Sequence, residues 1–127
     1  YNALPADLQS AIIDTKVVSG HGKDDSANFT STDKLYLLST AEVWAQGIGN
    51  DAGRTNTRQL DYYSAQGVTT GNYYGTIKQL NGSNSWWWLR TAASDAITTF
   101  YYVPYNGGSG TYSAKYTNGV SPAFRIA

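Results

Sequence analysis

Cysteine and methionine are both absent from this chain of 127 residues. Without cysteine the chain can form no disulfide bond and no thiolate metal site, and thiol redox chemistry is excluded. An excess of charge of one sign is also lacking, because nine basic residues balance nine acidic ones. A nucleic-acid-binding surface needs a basic patch to neutralise phosphates, so we expect no nucleic-acid partner. No apolar run approaches the roughly 20 residues of a membrane span, so we expect no membrane insertion.

Tyrosine and glycine are abundant, with 11 and 13 residues respectively, and serine, threonine and asparagine accompany them. This mixture is typical of paratope-like binding surfaces, where stiff tyrosine rings provide contact area at a low entropic cost. It is also typical of a β-rich domain with tyrosines on half-buried strands, and composition alone favours this second interpretation. The hydrophobic fraction of 41% indicates a globular chain, and the length predicts a single domain over residues 1–127.

Three helices are predicted from apolar spacing and from end signals. The second has the clearest ends, since Ser39 and Glu42 have capping-box spacing and Gly47 is placed for a left-handed C-terminal stop. Glu42 is the only glutamate in the chain, and this spacing gives it a structural role. Gly67 is the predicted stop of the third helix. The predicted helices cover residues 5–13, 39–47 and 54–66.

The last third of the chain is predicted to be a β-meander, because short aromatic and apolar runs alternate with turn residues. Pro122 cannot donate to a ladder, so the final strand should lie at an edge or be bulged there. Residues 19–33 are predicted to be a polar loop, and residues 68–85 a long ordered loop. The predicted strands cover residues 15–18, 34–38, 86–90, 97–103, 111–116 and 120–126.

Three consecutive tryptophans open the predicted meander, in the run Trp86-Trp87-Trp88-Leu89-Arg90. Neighbouring side chains on a strand point to opposite faces, so Trp86 and Trp88 share one side with Arg90, and Trp87 shares the other with Leu89. Bulk on both faces calls for cover on both faces, and we expect this strand to be central in a sheet.

Residues for catalysis or metal binding are sparse. The only histidine, His21, lies in a glycine loop near Asp24 and Asp25, where a catalytic triad is conceivable but a solvent-exposed side chain is more common. Asp24 and Asp25 could offer oxygens to calcium, although a solvated polar loop is the simpler interpretation. The spacing of Ser31 and Lys34 matches a Ser-x-x-Lys motif without its companion motifs. We therefore predict no catalytic residue, no metal site and no cofactor.

The glycine run of residues 107–110 resembles a phosphate-binding loop only superficially, because neither a strand-to-helix context nor a following Lys-Ser/Thr is present.

Several motifs together resemble an uncharacterised bacterial domain family found in predicted surface and prophage-encoded proteins of gut-dwelling Gram-positive bacteria. They are the Trp-Trp-Trp-Leu-Arg run at 86–90, the Phe-Tyr-Tyr-Val strand at 100–103 and the Gly-Val-Ser-Pro-Ala-Phe-Arg-Ile ending at 119–126. Residues 1–2, 15–18, 33–39 and Glu42 match as well. Members usually have a further segment before the position of Tyr1, so the resemblance implies that an N-terminal segment of the full-length protein is missing here.

This family is similar to the C-type-lectin-like fold, in the branch with formylglycine-generating enzymes and retroelement-diversified variable proteins. The resemblance implies an α+β domain, with short helices flanking a small twisted antiparallel sheet and a C-terminal β-meander. The enzymes of that branch depend on cysteines, which this chain lacks, and the calcium-lectin signatures are also absent. The resemblance therefore implies neither that activity nor calcium-dependent sugar binding.

In the diversified relatives, variable residues lie on a C-terminal surface over a fixed scaffold, which corresponds here to exposed positions between Thr91 and Asn118. Trp86, Trp88 and Arg90 are then scaffold residues, with Trp86 and Trp88 in the core and Trp87 at most a partly exposed floor. A buried Arg90 should be hydrogen-bonded to carbonyl groups or to an aspartate. The predicted ligand-binding residues are Trp87, Ser94, Asp95, Tyr101, Tyr105, Asn106, Tyr112, Ser113, Tyr116 and Asn118.

The leading hypothesis is a non-catalytic binding domain, an adhesin or receptor-binding module, of a bacterial surface or phage protein. It would recognise a protein or glycan ligand outside the cell, on the cell surface or on a phage particle. The alternative is a self-assembling module of a fibre, pilus or virion, in which another segment or chain completes an exposed sheet edge. A hydrolase using His21 is the third hypothesis.

Overall fold

A computed structural model describes residues 1–45, 48 and 51–127, and shows a mixture of short helices and small antiparallel sheets. This confirms the α+β class. The helices are α1 (Ala6–Ala11), α2 (Thr40–Val43) and α3 (Asp61–Ala65), with a 3₁₀ turn at Tyr74–Thr76. The strands are β1 (Ile12–Ile13), β2 (Thr15–Ser19), β3 (Phe29–Asp33), β4 (Lys78–Leu80), β5 (Ser83–Ser85), β6 (Trp87–Ala92), β7 (Thr99–Val103), β8 (Gly110–Ser113) and β9 (Arg125–Ile126).

The first helix is shorter than predicted because its last two residues form β1. Ile12 pairs with Ile126 and Ile13 with Arg125, so the two ends of the chain meet in one antiparallel ladder. Ile12 is buried, and a β-branched side chain suits this extended conformation. Every helix in the described part of the chain is too short and too polar to cross a bilayer.

β2 and β3 form a hairpin with five residue pairs, from Thr15–Asp33 to Ser19–Phe29. The prediction of β2 is confirmed, whereas the polar loop predicted for residues 19–33 is wrong over its last five residues. The strand predicted for residues 34–38 is also wrong, because that segment makes only an isolated bridge between Tyr36 and Ala123. Leu38 is buried and Leu35, Tyr36 and Leu37 are partly buried without belonging to a ladder.

The capping box of α2 is present as predicted. The Ser39 hydroxyl accepts from the backbone N–H of Glu42, and the Glu42 carboxylate accepts from the N–H of Ser39. The predicted stop at Gly47 lies outside the described residues. α3 occupies only the end of the segment predicted as the third helix, because residues 51–56 form successive turns instead. Gly67 follows the C-cap residue Gln66 with a φ of +66°, which confirms the predicted stop at Gly67.

The segment predicted as a long loop contains the 3₁₀ turn and a hairpin of β4 and β5. Asn81 and Gly82 connect these strands with φ angles of +53° and +82°. Positive φ at both central residues is the geometry of a type I′ hairpin, for which Asn-Gly is the preferred sequence. This signal was present in the sequence and could have predicted the hairpin.

β6, β7 and β8 form a three-stranded antiparallel meander in that order, as predicted. The strand predicted for residues 120–126 is wrong as a fourth strand of this meander, because only Arg125 and Ile126 form a strand and they pair with β1. β7 is the central strand, so the prediction that the tryptophan strand is central is wrong. The outer edge of β6 is covered by irregular segments: the N–H of Trp88 donates to the Gly119 carbonyl at 3.0 Å, and that of Arg90 to the Leu38 carbonyl at 2.9 Å. These irregular segments thus accept hydrogen bonds from the edge of β6, where a further strand would otherwise pair.

Candidate ligand-binding surface

The meander divides its side chains between two faces of different character. Trp87, Leu89, Tyr101 and Val103 point into the core, with 2%, 1%, 5% and 0% of their surface exposed. They pack against core residues from other segments, among them Leu38, Trp44, Tyr63 and Val68. Trp87 and Tyr101 were predicted to contact a ligand. The structure buries both side chains in the core, although Trp87 also lines a pocket of about 220 Å³ at the start of β6.

Trp87 is held in the core by a polar contact as well as by packing. Its indole Nε1 donates to the Thr76 carbonyl at 3.2 Å, and the Lys78 Nζ lies 5.0 Å from its ring centroid. A buried indole N–H needs a hydrogen-bond acceptor, and the 3₁₀ turn supplies it. Trp87 thus fixes the 3₁₀ turn against the sheet.

The opposite face of the meander carries half-buried rings, and Trp86 and Trp88 belong to it. The prediction that these two tryptophans form the core is wrong. We define the aromatic face as the rings of Trp86, Trp88, Tyr102, Tyr112 and Tyr116. Tyr102 is the central ring of this face. Its centroid lies 4.9 Å from that of Trp86, 6.2 Å from that of Trp88 and 5.9 Å from that of Tyr112. Tyr116 stacks on Tyr112 at 4.4 Å.

Gly110 allows the central ring of this face to lie flat across β8. Gly110 is the cross-strand partner of Tyr102, and a Cβ placed on it would lie 2.6 Å from the Tyr102 ring. A glycine opposite an aromatic residue leaves room for the ring to cover the neighbouring strand. The aromatic face therefore depends on a small residue as well as on its rings.

A groove of about 480 Å³ adjoins the aromatic face at Trp88. Phe100 and Arg90 of the sheet, Leu37 of the irregular segment and Phe29 of β3 contribute to its lining. A second cavity of about 310 Å³ shares Phe29, Arg90 and Phe100 with it and extends towards His21. The sheet and the β2–β3 hairpin thus enclose a continuous groove beside the aromatic face.

Arg90 joins this groove to the scaffold. Its guanidinium donates to the carbonyls of Val18 at 3.1 Å and Leu37 at 2.8 Å, and it pairs with the Glu42 carboxylate. The expected carbonyl partners are confirmed, and the acidic partner is a glutamate where an aspartate was predicted. Because Glu42 neutralises Arg90, this arginine is a structural residue of the groove.

Tyr36 packs beside this ion pair, with its ring centroid 5.9 Å from the Arg90 guanidinium. Burial raises the pKa of the Tyr36 hydroxyl above its ordinary value, and the neighbouring Glu42 carboxylate raises it further, while Arg90 and Arg125 act in the opposite direction.

A family model described as a domain of unknown function, DUF6273, matches residues 1–127. The chain belongs to this family. No curated protein and no solved structure matches it. Membership in DUF6273 covers all of the chain but assigns neither an activity nor a ligand.

The remaining predicted ligand-binding residues of the DUF6273 chain lie in four places. Tyr112 and Tyr116 belong to the aromatic face, and Ser113 follows Tyr112 on β8. The other five lie outside this face: Ser94 and Asp95 in the connection before β7, Tyr105 and Asn106 in the turn after it, and Asn118 beside the loop that covers β6. The side-chain Nδ2 of Asn118 is buried and has no hydrogen-bond partner among residues 1–45, 48 and 51–127.

Sequence reasoning missed Trp86, Trp88 and Tyr102 as parts of the candidate surface. The tryptophan run itself contained the signal, because Leu89 lies on the side of Trp87 and Arg90 on the side of Trp86 and Trp88. An aliphatic neighbour marks the core side of a strand, and the side with a charged residue is less often the centre of the core, even where that residue is paired as Arg90 is.

The weaker motifs of the DUF6273 chain have structural partners. The His21 Nδ1 is 2.7 Å from the Gly22 carbonyl oxygen. The Lys34 ammonium pairs with Asp14 at 3.4 Å, while the Ser31 hydroxyl donates to Asp33, so the Ser-x-x-Lys spacing forms no dyad. In the parts of the chain that the structure describes, no group of three or more histidine or acidic side chains could hold a metal ion.

Proposed function

We propose that this chain is a non-catalytic ligand-binding domain of a bacterial surface or phage protein, and that it recognises a protein or glycan ligand through the aromatic face. The observation that carries the proposal is the set of five rings in mutual contact on a sheet face that reaches solvent. The other face of the same sheet is core, so the rings rest on a fixed support.

Aromatic rings suit recognition because they combine a large apolar area with few rotatable bonds. Tyrosine and tryptophan are enriched at the energetic centres of protein interfaces, and their faces also stack on sugar rings. Ring contacts such as Tyr112 on Tyr116 hold the side chains in one arrangement before a ligand arrives. Less conformational freedom is then lost on binding.

We also propose that the fold is C-type-lectin-like and that the protein acts outside the cell. The C-terminal meander and the short helices support the fold, together with the sequence motifs that resemble that family. A crystal structure tests this directly, and a strand order other than β6-β7-β8 in the C-terminal sheet would contradict it.

The binding proposal is tested by replacing Tyr112 and Tyr116 with alanine together and screening the protein on a glycan microarray and on intact bacterial and animal cells. We expect binding to fall by at least about 30-fold, since even one ring at an interface centre contributes about 2 kcal/mol. Circular dichroism should show a folded protein. The matched control is Tyr62→Ala with Tyr74→Ala, two exposed tyrosines outside the aromatic face. Equal binding by all three proteins contradicts the proposal.

Self-assembly is the second candidate function, and apolar exposure near the chain ends favours it. Val120 and Ile126 are both strongly exposed, and Ile126 lies on the two-stranded ladder of β1 and β9. Another copy could pack on these side chains. Size-exclusion chromatography with light scattering tests this, and a monomer at every protein concentration contradicts it.

A further inference from the structure

A small pocket of about 220 Å³ lies at the start of β6, between the β4–β5 hairpin and residues 119–122. Unlike the groove, this pocket has a mixed polar and apolar lining, in which a lysine, an amide and hydroxyl groups lie beside the indoles of Trp86 and Trp87. The side chains that matter here are Lys78, Gln79, Ser85, Trp86 and Ser121.

Lys78 is the only charged residue in the lining of this pocket, and it is half-buried. Its ammonium lies 5.0 Å from the Trp87 ring centroid and forms no salt bridge and no hydrogen bond with the described residues. Partial burial lowers the pKa of Lys78 below its ordinary value. A cation that has lost part of its water, with only a ring face in return, gains most from an anionic ligand group.

The pocket and the aromatic face share one residue. Trp86 lines the pocket and also stacks on Tyr102 with ring centroids 4.9 Å apart. A ligand unit that lies against Trp86 can therefore place one substituent at Lys78 while the rest of the ligand follows the rings. Gln79, Ser85 and Ser121 line the same pocket and can exchange hydrogen bonds with ligand hydroxyl groups.

We propose that the aromatic face binds an acidic glycan, and that the Lys78 pocket takes the carboxylate of a hexuronic acid unit. The inference rests on the proposed function and names the ligand class of the same surface. A pyranose carboxylic acid matches all three features of the pocket: its apolar ring face suits the indole, its hydroxyls suit the serines and the amide, and its carboxylate suits the unpaired ammonium.

The test compares two probes with the same sugar backbone and different charge, namely trigalacturonic acid and its uncharged trimethyl ester, by isothermal titration calorimetry. The wild type should bind the acid about tenfold more tightly than the ester, as expected for one charge-assisted hydrogen bond in a partly desolvated site. Lys78→Gln should remove this preference and Lys78→Arg should keep most of it. Lys16→Gln, which removes an exposed lysine of β2, is the charge-matched control and should bind as the wild type does.

A second readout is the pKa of the Lys78 ammonium, followed by nuclear magnetic resonance. It should rise when trigalacturonic acid binds, because a nearby carboxylate stabilises the charged form. The ester should leave it where it is. This readout reports on the pocket itself and is independent of how strongly the aromatic face contributes.

Equal affinity for acid and ester, or an unchanged preference in Lys78→Gln, overturns the acidic-glycan inference. The proposed function stands in that case if replacing Tyr112 and Tyr116 still weakens binding. Failure to bind either probe also overturns the inference, as does tighter binding of a poly-glutamate peptide than of the sugar. The proposed function fails separately, when no glycan or cell surface distinguishes the wild type from the double tyrosine variant.

Discussion

Two ion pairs of this chain have opposite environments. Arg90 and Glu42 have only 11% and 8% of their side chains exposed, whereas Arg58 and Asp61 have 76% and 87% exposed. The buried pair also joins β6 to the N-terminus of α2 and to the carbonyls of Val18 and Leu37. A pair with so many partners holds several segments together, whereas an exposed pair is screened by water.

We predict that Glu42→Gln lowers the free energy of unfolding by about 3 kcal/mol, because it leaves the Arg90 charge buried without an anion. Glutamine keeps the shape of the side chain, so the loss reports on charge. Urea unfolding followed by circular dichroism measures it. The control is Asp61→Asn in the exposed pair, which should leave the unfolding midpoint unchanged. Equal midpoints for both variants and the wild type would contradict this account of Arg90.

Local rules predicted several residues correctly. The capping box of Ser39 and Glu42 and the left-handed stop at Gly67 depend on residues within one helical turn, so spacing alone was enough to find them. The burial of Trp87 was predicted wrongly because it depends on a hydrogen bond to the Thr76 carbonyl and on a core cluster that includes Trp44, and both residues are distant in sequence. Long-range packing decides which side of an alternating strand becomes core.

At the scale of elements, pairing partners decided what the sequence pattern could not. β3 has the polar sequence Phe-Thr-Ser-Thr-Asp and is a strand because it completes a ladder with β2. Residues 34–38 are mostly apolar and yet form no strand, since their backbone pairs with that of Ala123 and Arg90 only at single points. Apolar character predicted the burial of Leu38 correctly, but it did not predict a ladder.

Gly107 makes the turn between β7 and β8 fit against the 3₁₀ turn. It has a φ of +85°, and a Cβ there would lie 2.4 Å from the Tyr73 carbonyl oxygen and 2.7 Å from the Thr76 hydroxyl. Gly82 has a similar φ of +82°, but its Cβ would meet no heavy atom of the described residues within 4 Å. An alanine at Gly82 would therefore suffer only backbone strain, whereas an alanine at Gly107 would also overlap with neighbouring atoms.

We predict that Gly82→Ala costs about 1 kcal/mol of stability, the ordinary penalty of a left-handed alanine, and that Gly107→Ala costs about 3 kcal/mol or more. The extra loss arises because the two turns must move apart. Urea midpoints of the two variants measure the difference. If both alanines lower the midpoint equally, the close approach of these turns contributes nothing to stability.

At the scale of the whole molecule, the β6-β7-β8 sheet has one side in the core and one side that carries the aromatic face. Core side chains from α2, α3 and the segments between them pack on the side of Trp87 and Val103. The rings of the aromatic face cover the other side, beside the groove and the Lys78 pocket. The sequence predicted the meander and the importance of its aromatic residues, but assigned the two sides in reverse.

Neighbouring tryptophans should therefore respond in opposite ways to the same substitution. We predict that Trp87→Phe lowers the free energy of unfolding by about 2–4 kcal/mol, because it opens a cavity and leaves the Thr76 carbonyl without its indole donor. Trp88→Phe should cost less than about 1 kcal/mol, since its side chain is only partly buried, but should weaken ligand binding severalfold. Urea unfolding and titration with trigalacturonic acid measure the two effects.

Acrylamide quenching gives an independent check, because Trp86 and Trp88 should be accessible to the quencher while Trp44 and Trp87 are protected. Equal loss of stability in the two variants would contradict the division of the sheet into a core side and a ligand side.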